Sequence, residues 1–371
     1  MDQGMKRKLT PPFRTVLLVQ DLEFGGTQRY AVQLLKHLDR SLFSPELWVL
    51  RGGKDMLPLA EEANVKIVFL SLSPRVGPRA IVHLLWRLMR YPPDILYTLT
   101  GVPNIWGRPF GTIARVPVII SSWRGLVEKQ WESILWPLST RIVCNAHALK
   151  GVIVRLHSVD PTRIAVVPNA VLADFFSPGN GDKAAEPTVL YVGRLEPEKD
   201  LLTLLEGFRL ARQKIPNARL DLVGNGSLRQ KLEDFIRRNS LETAVRLLPG
   251  RRDIRPLLHQ AWVFAMTSIR EASPNVMLEA MATELPVVGT RVGGIPELIQ
   301  DGDTGIVIEP ANPLALAEAL TSLLHDEDVR RSMGRKGRER VLALHTMERM
   351  IDQTQQVIIE AVNEAAQCRR C

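Results

Sequence analysis

Cysteine is scarce in this sequence. Three residues, Cys144, Cys368 and Cys371, cannot staple a chain of 371, so a disulfide framework is excluded and a reducing cytoplasm is the expected setting. Long apolar runs are missing as well: none reaches the roughly 18–20 residues that span a bilayer. The opening MDQGMKRKLTPPFRTVLLVQD is basic and then apolar, but its VLLV core is too short for a signal peptide and runs into charge. It reads as a short tail and a first buried strand. Neither G-x-G-x-x-G nor a Walker A pattern occurs, which argues against NAD(P) and against ATP hydrolysis. No nucleic-acid module or extended Lys/Arg tract is present, so nucleic acid is not an expected partner.

What is present is ordinary in bulk and uneven in detail. Apolar residues make up 45% and charged residues 24%, the balance of a soluble globular protein with two domains' worth of chain. The net charge of +8 is lopsided. Residues 1–175 hold 22 Lys+Arg against 13 Asp+Glu, while the remainder is close to neutral. Six of seven tryptophans, Trp48, Trp86, Trp106, Trp123, Trp131 and Trp136, lie in that basic half. The two halves therefore have different expected tasks.

Strand-length apolar runs alternate with amphipathic stretches. They are TVLLVQD (15–21), ELWVL (46–50), KIVFL (66–70), DILYTL (94–99), VPVIISS (116–122), RIVCNA (141–146) and IAVVP (164–168). Continuous Val/Ile/Leu runs of this kind mark strands of a parallel sheet covered on both faces. SPGNGDKAAEP (177–187) has linker composition. The alternation then restarts with TVLYVG (188–193), ARLDLVG (218–224), VRLLP (245–249), WVFAM (262–266), PVVGT (286–290) and GIVIE (305–309). The expected fold is α/β, with two Rossmann-like domains. They are an N-terminal domain 1–176 and a second domain 188–346, joined by the linker 177–187. A last helix, within 347–371, has no strand after it.

Several strand ends carry binding chemistry. Asp21-Leu-Glu-Phe-Gly25-Gly26-Thr27 leads into a helix, as a diphosphate or sugar cradle would, or as an ordinary tight turn would. Gly193-Arg194 through Lys199-Asp200 puts two cations at one strand-to-helix turn. Arg can grip phosphate oxygens in pairs and Lys acts as a point charge; a solvated loop with ion pairs to Glu196 or Glu198 is the plainer reading. Gly224-Asn225-Gly226 leaves room for a flat ring or a ribose, and is also a common turn. The densest cluster is Glu271-Ala-Ser273-Pro274-Asn275-Val276-Met-Leu-Glu279. Ser273 is the expected N-cap and Pro274 the first helical residue, which places two carboxylates at an anion-binding helix end. An acidic first turn that balances the helix dipole accounts for the same residues.

These motifs, VGRLEPEKDL, LVGNGSL, the Glu271–Glu279 pair and VVGTRVGGIPELIQDGDTGIVI, together make residues 188–309 closely resemble the donor-binding half of glycosyltransferase family 4. Those are retaining enzymes of the GT-B fold. FGGTQRYAVQLLKHL resembles that family's first loop and helix. The resemblance implies two facing Rossmann-like domains, a nucleotide-diphosphate sugar as co-substrate, and a terminal helix returning to the first domain. Arg194 and Lys199 would hold the diphosphate and Glu279 the ribose. Glu271 would lie against the sugar, with backbone N–H groups near Asn275 and Val276 beside it. Gly193 and Gly224 would line the donor cleft, and Gly25 and Gly26 would approach the donor from the other domain.

No cofactor and no metal are expected, because fixed cations and helix N-termini can stabilise a leaving diphosphate. Asp301-Gly-Asp303 spells a metal-binding Asp-x-Asp, but far downstream of the donor motifs. Many family members carry a His after the strand ending near 122, where this chain has Trp123-Arg124. Arg124 is the candidate there for facing the reacting sugar or an acceptor phosphate, and His147, one strand later, is read as structural.

RAIVHLLWRLMRY (79–91) spaces Arg79, His83, Arg87 and Arg90 for one helical face, and residues 123–141 add three tryptophans. Such helices can lie on an anionic membrane or simply flank the sheet. The sequence reading is a retaining hexosyltransferase of cell-envelope polysaccharide assembly. It would act on a glycan or lipid-linked acceptor in the cytoplasm, peripheral at the inner membrane face. Alternatives are an epimerase or hydrolase of similar architecture, and a non-catalytic glycan- or membrane-binding module.

Overall fold

The computed structural model describes residues 9–99, 101–125, 131–179 and 183–368. Contacts divide the chain into two compact units, Met1–Val167 with Met350–Cys371, and Pro168–Arg349. The stretch 177–187 falls within the second unit in this division, with 180–182 outside the described residues.

The first unit is built on β1 (Phe13–Val19), β2 (Phe43–Val49), β3 (Lys66–Phe69), β4 (Ile95–Leu99), β5 (Val118–Trp123), β6 (Arg141–Cys144) and β7 (Ile164–Val166). All pair in parallel in the order β3-β2-β1-β4-β5-β6-β7, with Phe13 beside Phe43 and Thr15 beside Ile95. The second holds β8 (Thr188–Val192), β9 (Arg219–Val223), β10 (Val245–Leu248), β11 (Val263–Met266), β12 (Val287–Thr290) and β13 (Ile306–Ile308), in the order β10-β9-β8-β11-β12-β13. Every expected apolar run overlaps one of these thirteen strands, though β1 and β2 begin before their runs and β5 ends one residue after its own. Helices cover both sheet faces, so strands such as β4 and β11 are buried along their whole length.

Each sheet reverses its chain order once, between β1 and β4 and between β8 and β11. At such a point neighbouring connections leave in opposite directions and open a crevice at the strands' C-terminal ends.

The final helix, Met347–Cys368, belongs to the first unit from Met350 onward. Its Thr354 hydroxyl lies 3.1 Å from the Tyr30 hydroxyl, which is itself 2.9 Å from that of Tyr97. Glu364 pairs with Arg141.

The stretch 123–141 departs from a continuous helix. Trp123 ends β5 and is buried, and only Trp131–Leu135 and the 3₁₀ turn Trp136–Leu138 are helical; 126–130 lie outside the described residues. A buried charge fixes this region. Arg108 is fully enclosed, donates to Glu132 at 2.6 Å and to the Ser121 hydroxyl at 2.9 Å, and so ties the helix Gly101–Ile113 to the next one. Enclosure lowers the Arg108 pKa, and Glu132 opposes that by favouring the charged form. Among the described residues no helix is long and apolar enough to cross a membrane.

His345 closes the second unit. Its Nδ1 donates to the Asn169 carbonyl at 3.0 Å, and its own carbonyl accepts from the Val171 N–H. Burial pushes its pKa below 6.5, with Arg340 and Arg349 adding to the effect. The unfolded chain therefore takes up the proton more readily than the folded one. The stability contributed by neutral His345 is full above pH 6.5 and is lost as pH falls through the window beneath it. Urea denaturation on either side of that pH checks this: the wild type loses stability on acidification, and His345→Asn shows a flatter profile.

Candidate functional site

In the second unit the crevice between β8 and β11 gathers most of the motif residues. The turn after β8 is held from below by Tyr191, whose hydroxyl donates to the Arg194 carbonyl at 2.8 Å. Leu195 is fully buried; its N–H donates to the Asn225 carbonyl and its carbonyl accepts from Leu228. Glycine is required at 224, because a Cβ there would sit 1.8 Å from the Gly193 carbonyl oxygen. The Gly193 and Gly224 turns thus pack backbone on backbone.

The loop after β11 is clamped onto the β8 loop. The Thr267 hydroxyl donates to the carbonyls of Lys199 and Asp200 at 3.1 and 3.0 Å, and the Ile269 N–H donates to Glu198 at 2.9 Å. This brings the Lys199 ammonium to 2.5 Å from the Glu271 carboxylate, with both side chains largely out of water at 12% and 15% exposure. Arg194, at 72% exposure, pairs with Glu198 at 2.8 Å. A surface pair of that kind contributes at most about 1 kcal/mol, so Arg194 is easily released to a ligand. Burial, and then the Glu271 carboxylate, push the Tyr191 phenol well above its usual pKa and keep it a neutral donor.

The next helix is Asn275–Ala282, with Pro274 as its N-cap. It starts one residue later than expected, and Ser273 is not the cap; its carbonyl instead accepts from the Asn169 side chain at 2.9 Å. The N–H groups of Asn275 and Val276 open the helix and precede its first i→i−4 bond. The Asn275 side-chain oxygen is buried with no hydrogen-bond partner among the described residues. A ligand hydroxyl would satisfy such an acceptor. Glu279 is buried one turn further in, at 5% exposure. Asp301 and Asp303 are bound to different cations, Arg291 at 3.3 Å and Lys336 at 2.6 Å. Among the described residues no three potential metal ligands converge.

Gly25, Gly26 and Arg124 lie in the first unit. Gly25 is extended and caps the helix Gly26–His37, while Gln28 from its first turn donates to the buried Asp21 carboxylate at 2.8 Å. Arg51 pairs with the same carboxylate at 2.7 Å. The Arg124 guanidinium sits 3.3 Å from the centroid of the Tyr30 ring and donates to Ser122 at 3.1 Å. It is held by the first helix as much as by its own strand. His147 is exposed in the first turn of the helix His147–His157.

Sequence reasoning missed what sets Glu271 in place. Gly293 has φ +52°, and a Cβ there would fall 1.6 Å from the Glu271 carbonyl oxygen. Gly294 adds an N–H donated to Ala272 at 2.8 Å. The available signal was the Gly-Gly pair at the end of β12, whose partner is remote in sequence.

Residues 174–340 match the model of glycosyl transferases group 1, and residues 24–175 match that of glycosyltransferase family 4. The chain is 31% identical to the D-inositol 3-phosphate glycosyltransferase of Kineococcus radiotolerans, over 85% of this chain and 86% of that protein. It is 25% identical to the UDP-Gal:α-D-GlcNAc-diphosphoundecaprenol α-1,3-galactosyltransferase of Escherichia coli, over 91% and 94%. Several other relatives are matched over about half their length. Among solved structures, HepE of Anabaena in complex with UDP-glucose superposes with a TM-score of 0.82 at 19% identity, covering 94% of this chain and all of that one. The fold is thus of the GT-B type.

Gly293 yields a prediction about the loop alone. Gly293→Ala destabilises the second unit more than Gly302→Ala. Both positions have positive φ, but only at 293 does the new Cβ meet a backbone atom. The strain common to both is on the order of 1–2 kcal/mol. Chemical denaturation of the two variants checks this, and equal losses would mean that the Glu271 loop simply gives way.

Proposed function

The chain belongs to glycosyltransferase family 4, and from that premise we propose that it moves a hexose from a nucleotide-diphosphate sugar to a lipid-linked glycan, with retention of configuration and without a metal ion. The observation that carries this reading is the Lys199–Glu271 pair at the β8/β11 crevice, beside the opening N–H groups of the helix Asn275–Ala282.

In this reading Lys199 and Arg194 take the diphosphate, and the helix end adds its dipole. Glu279 accepts from the ribose hydroxyls. Glu271 and the Asn275 side-chain oxygen accept from hydroxyls of the sugar. Gly25, Gly26 and Arg124 act from the first unit, Arg124 towards the sugar or an acceptor phosphate. The bond between the anomeric carbon and the phosphate oxygen breaks with its electron pair going to the diphosphate. The acceptor oxygen attacks the same face, and its proton passes to the departing phosphate oxygen. The products are a retained glycoside and a nucleoside diphosphate. Negative charge grows on the diphosphate in the transition state, where fixed cations stabilise it most.

The lipid-linked acceptor is supported by the galactosyltransferase of E. coli, whose acceptor is a diphosphoundecaprenol-linked sugar. It is supported also by the excess positive charge of the first half. Both favour work at the cytoplasmic face of a membrane, in assembly of an envelope polysaccharide.

A panel of nucleotide sugars, assayed by mass spectrometry for nucleoside diphosphate release and glycoside formation, tests the reading. One donor is turned over with retention. Lys199→Ala lowers kcat by about 10²–10³-fold, and a chelator leaves the rate unchanged. Hydrolysis with no transfer to any acceptor would point to a hydrolase instead, and a chelator-sensitive rate would overturn metal independence.

A further inference from the structure

The helix Pro78–Arg90 is apolar on two opposite sides. Ala80, Leu84 and Leu88 face inward, and the two leucines join the core with Val16, Leu18 and Trp48. At about 100° per residue, Val82, Trp86 and Met89 point the other way. They are exposed at 67%, 54% and 56%, and Leu72 in the preceding loop is exposed at 68%. Core packing does not account for this second stripe.

The charged side chains of the helix and of the loop before it have one sign. Arg75, Arg79 and Arg90 are exposed, whereas Arg87 is folded back over the buried Trp48 ring at 4.8 Å. Between Ala63 and Val127 the chain has eight Lys and Arg and one carboxylate, Asp94. Asp94 is buried and accepts from the Arg14 N–H. The adjoining helix, Gly101–Ile113, adds Trp106 and Ile113 as further exposed apolar side chains and contains no acid.

We propose that this face of the first unit, centred on Val82, Trp86 and Met89 and flanked by Arg75, Arg79 and Arg90, docks on an anionic phospholipid bilayer. The assignment rests on the reading of a membrane-borne acceptor and names the surface that reaches it. Tryptophan and methionine enter the boundary between headgroups and acyl chains, while the arginines meet lipid phosphates. A second copy of the chain is a poor occupant, because a two-fold contact would set arginine against arginine.

The test is co-sedimentation of the full chain with phosphatidylcholine vesicles, with and without phosphatidylglycerol. Binding is expected only with phosphatidylglycerol and weakens with salt. Trp86→Ser/Met89→Ser and Arg79→Glu/Arg90→Glu each lower it by about tenfold or more, while nucleotide-sugar turnover with a soluble acceptor or water stays at the wild-type rate. Binding indifferent to phosphatidylglycerol, or unaffected by both pairs of substitutions, overturns the proposal. So does self-association of the wild type that Trp86→Ser/Met89→Ser abolishes. If vesicle binding behaves as stated but no donor is turned over, the transferase reading fails and the docking surface stands.

Discussion

A lysine and a carboxylate removed from water must find each other, and much of the second unit is arranged so that Lys199 and Glu271 do. Left alone, either charge would carry a desolvation cost of several kcal/mol. The two residues are 72 positions apart. They meet because the sheet places β8 beside β11. The Thr267 hydroxyl and the Ile269 N–H then tie the two loops together, and Gly293 admits the Glu271 backbone where any other residue would push it out. The pair keeps the ammonium in position but leaves its other two protons for a ligand. A cation held this way loses little freedom when a phosphate arrives, and that pre-organisation favours charge that develops during a reaction.

The secondary structure was largely legible in the sequence for a physical reason. Strands of a parallel sheet are buried on both faces, so runs such as DILYTL and WVFAM carry no alternation and stand out from the helices between them. The loops proposed to hold the donor stand out in the sequence because phosphate chemistry asks for glycine and cations at strand ends, and Gly193, Arg194 and Lys199 are there together. Contacts set by tertiary structure were not. The Gly293 requirement comes from a carbonyl 22 residues earlier in the chain. Arg108 stands among apolar residues in the sequence, and nothing local marks Glu132 as its partner. The end of β5 is hard to tell from a helical, tryptophan-rich stretch, because Trp123 fits an amphipathic pattern as well as a strand end. The start of the helix at 275 shifted by one residue because Pro274 could serve on either side of the boundary.

The uneven charge also takes a more definite form in the folded chain. In the second unit Arg194, Lys199, Arg219 and Arg246 each have a carboxylate partner, so a near-neutral half still presents cations at defined points. The first half keeps its excess in a segment whose single carboxylate is buried. The second half holds positive charge in placed pairs; the first has pairs of its own, such as Arg51–Asp21, and in addition exposes Arg75, Arg79 and Arg90 along one helix and its approach, and the two arrangements suit a small polyanion and an extended one respectively.

The last helix gives the molecule an order of assembly. Tyr30 shares its hydroxyl with Thr354, 324 residues later, and Glu364 reaches back to Arg141 on β6. The second unit is continuous in sequence, so a ribosome delivers all of it as one stretch. The first unit starts earlier and finishes later: its seven strands leave the ribosome first, yet Tyr30 and Arg141 wait for their partners until residues 350–371 have been made. During synthesis the unit that begins second is therefore the first whose whole sequence is available to fold.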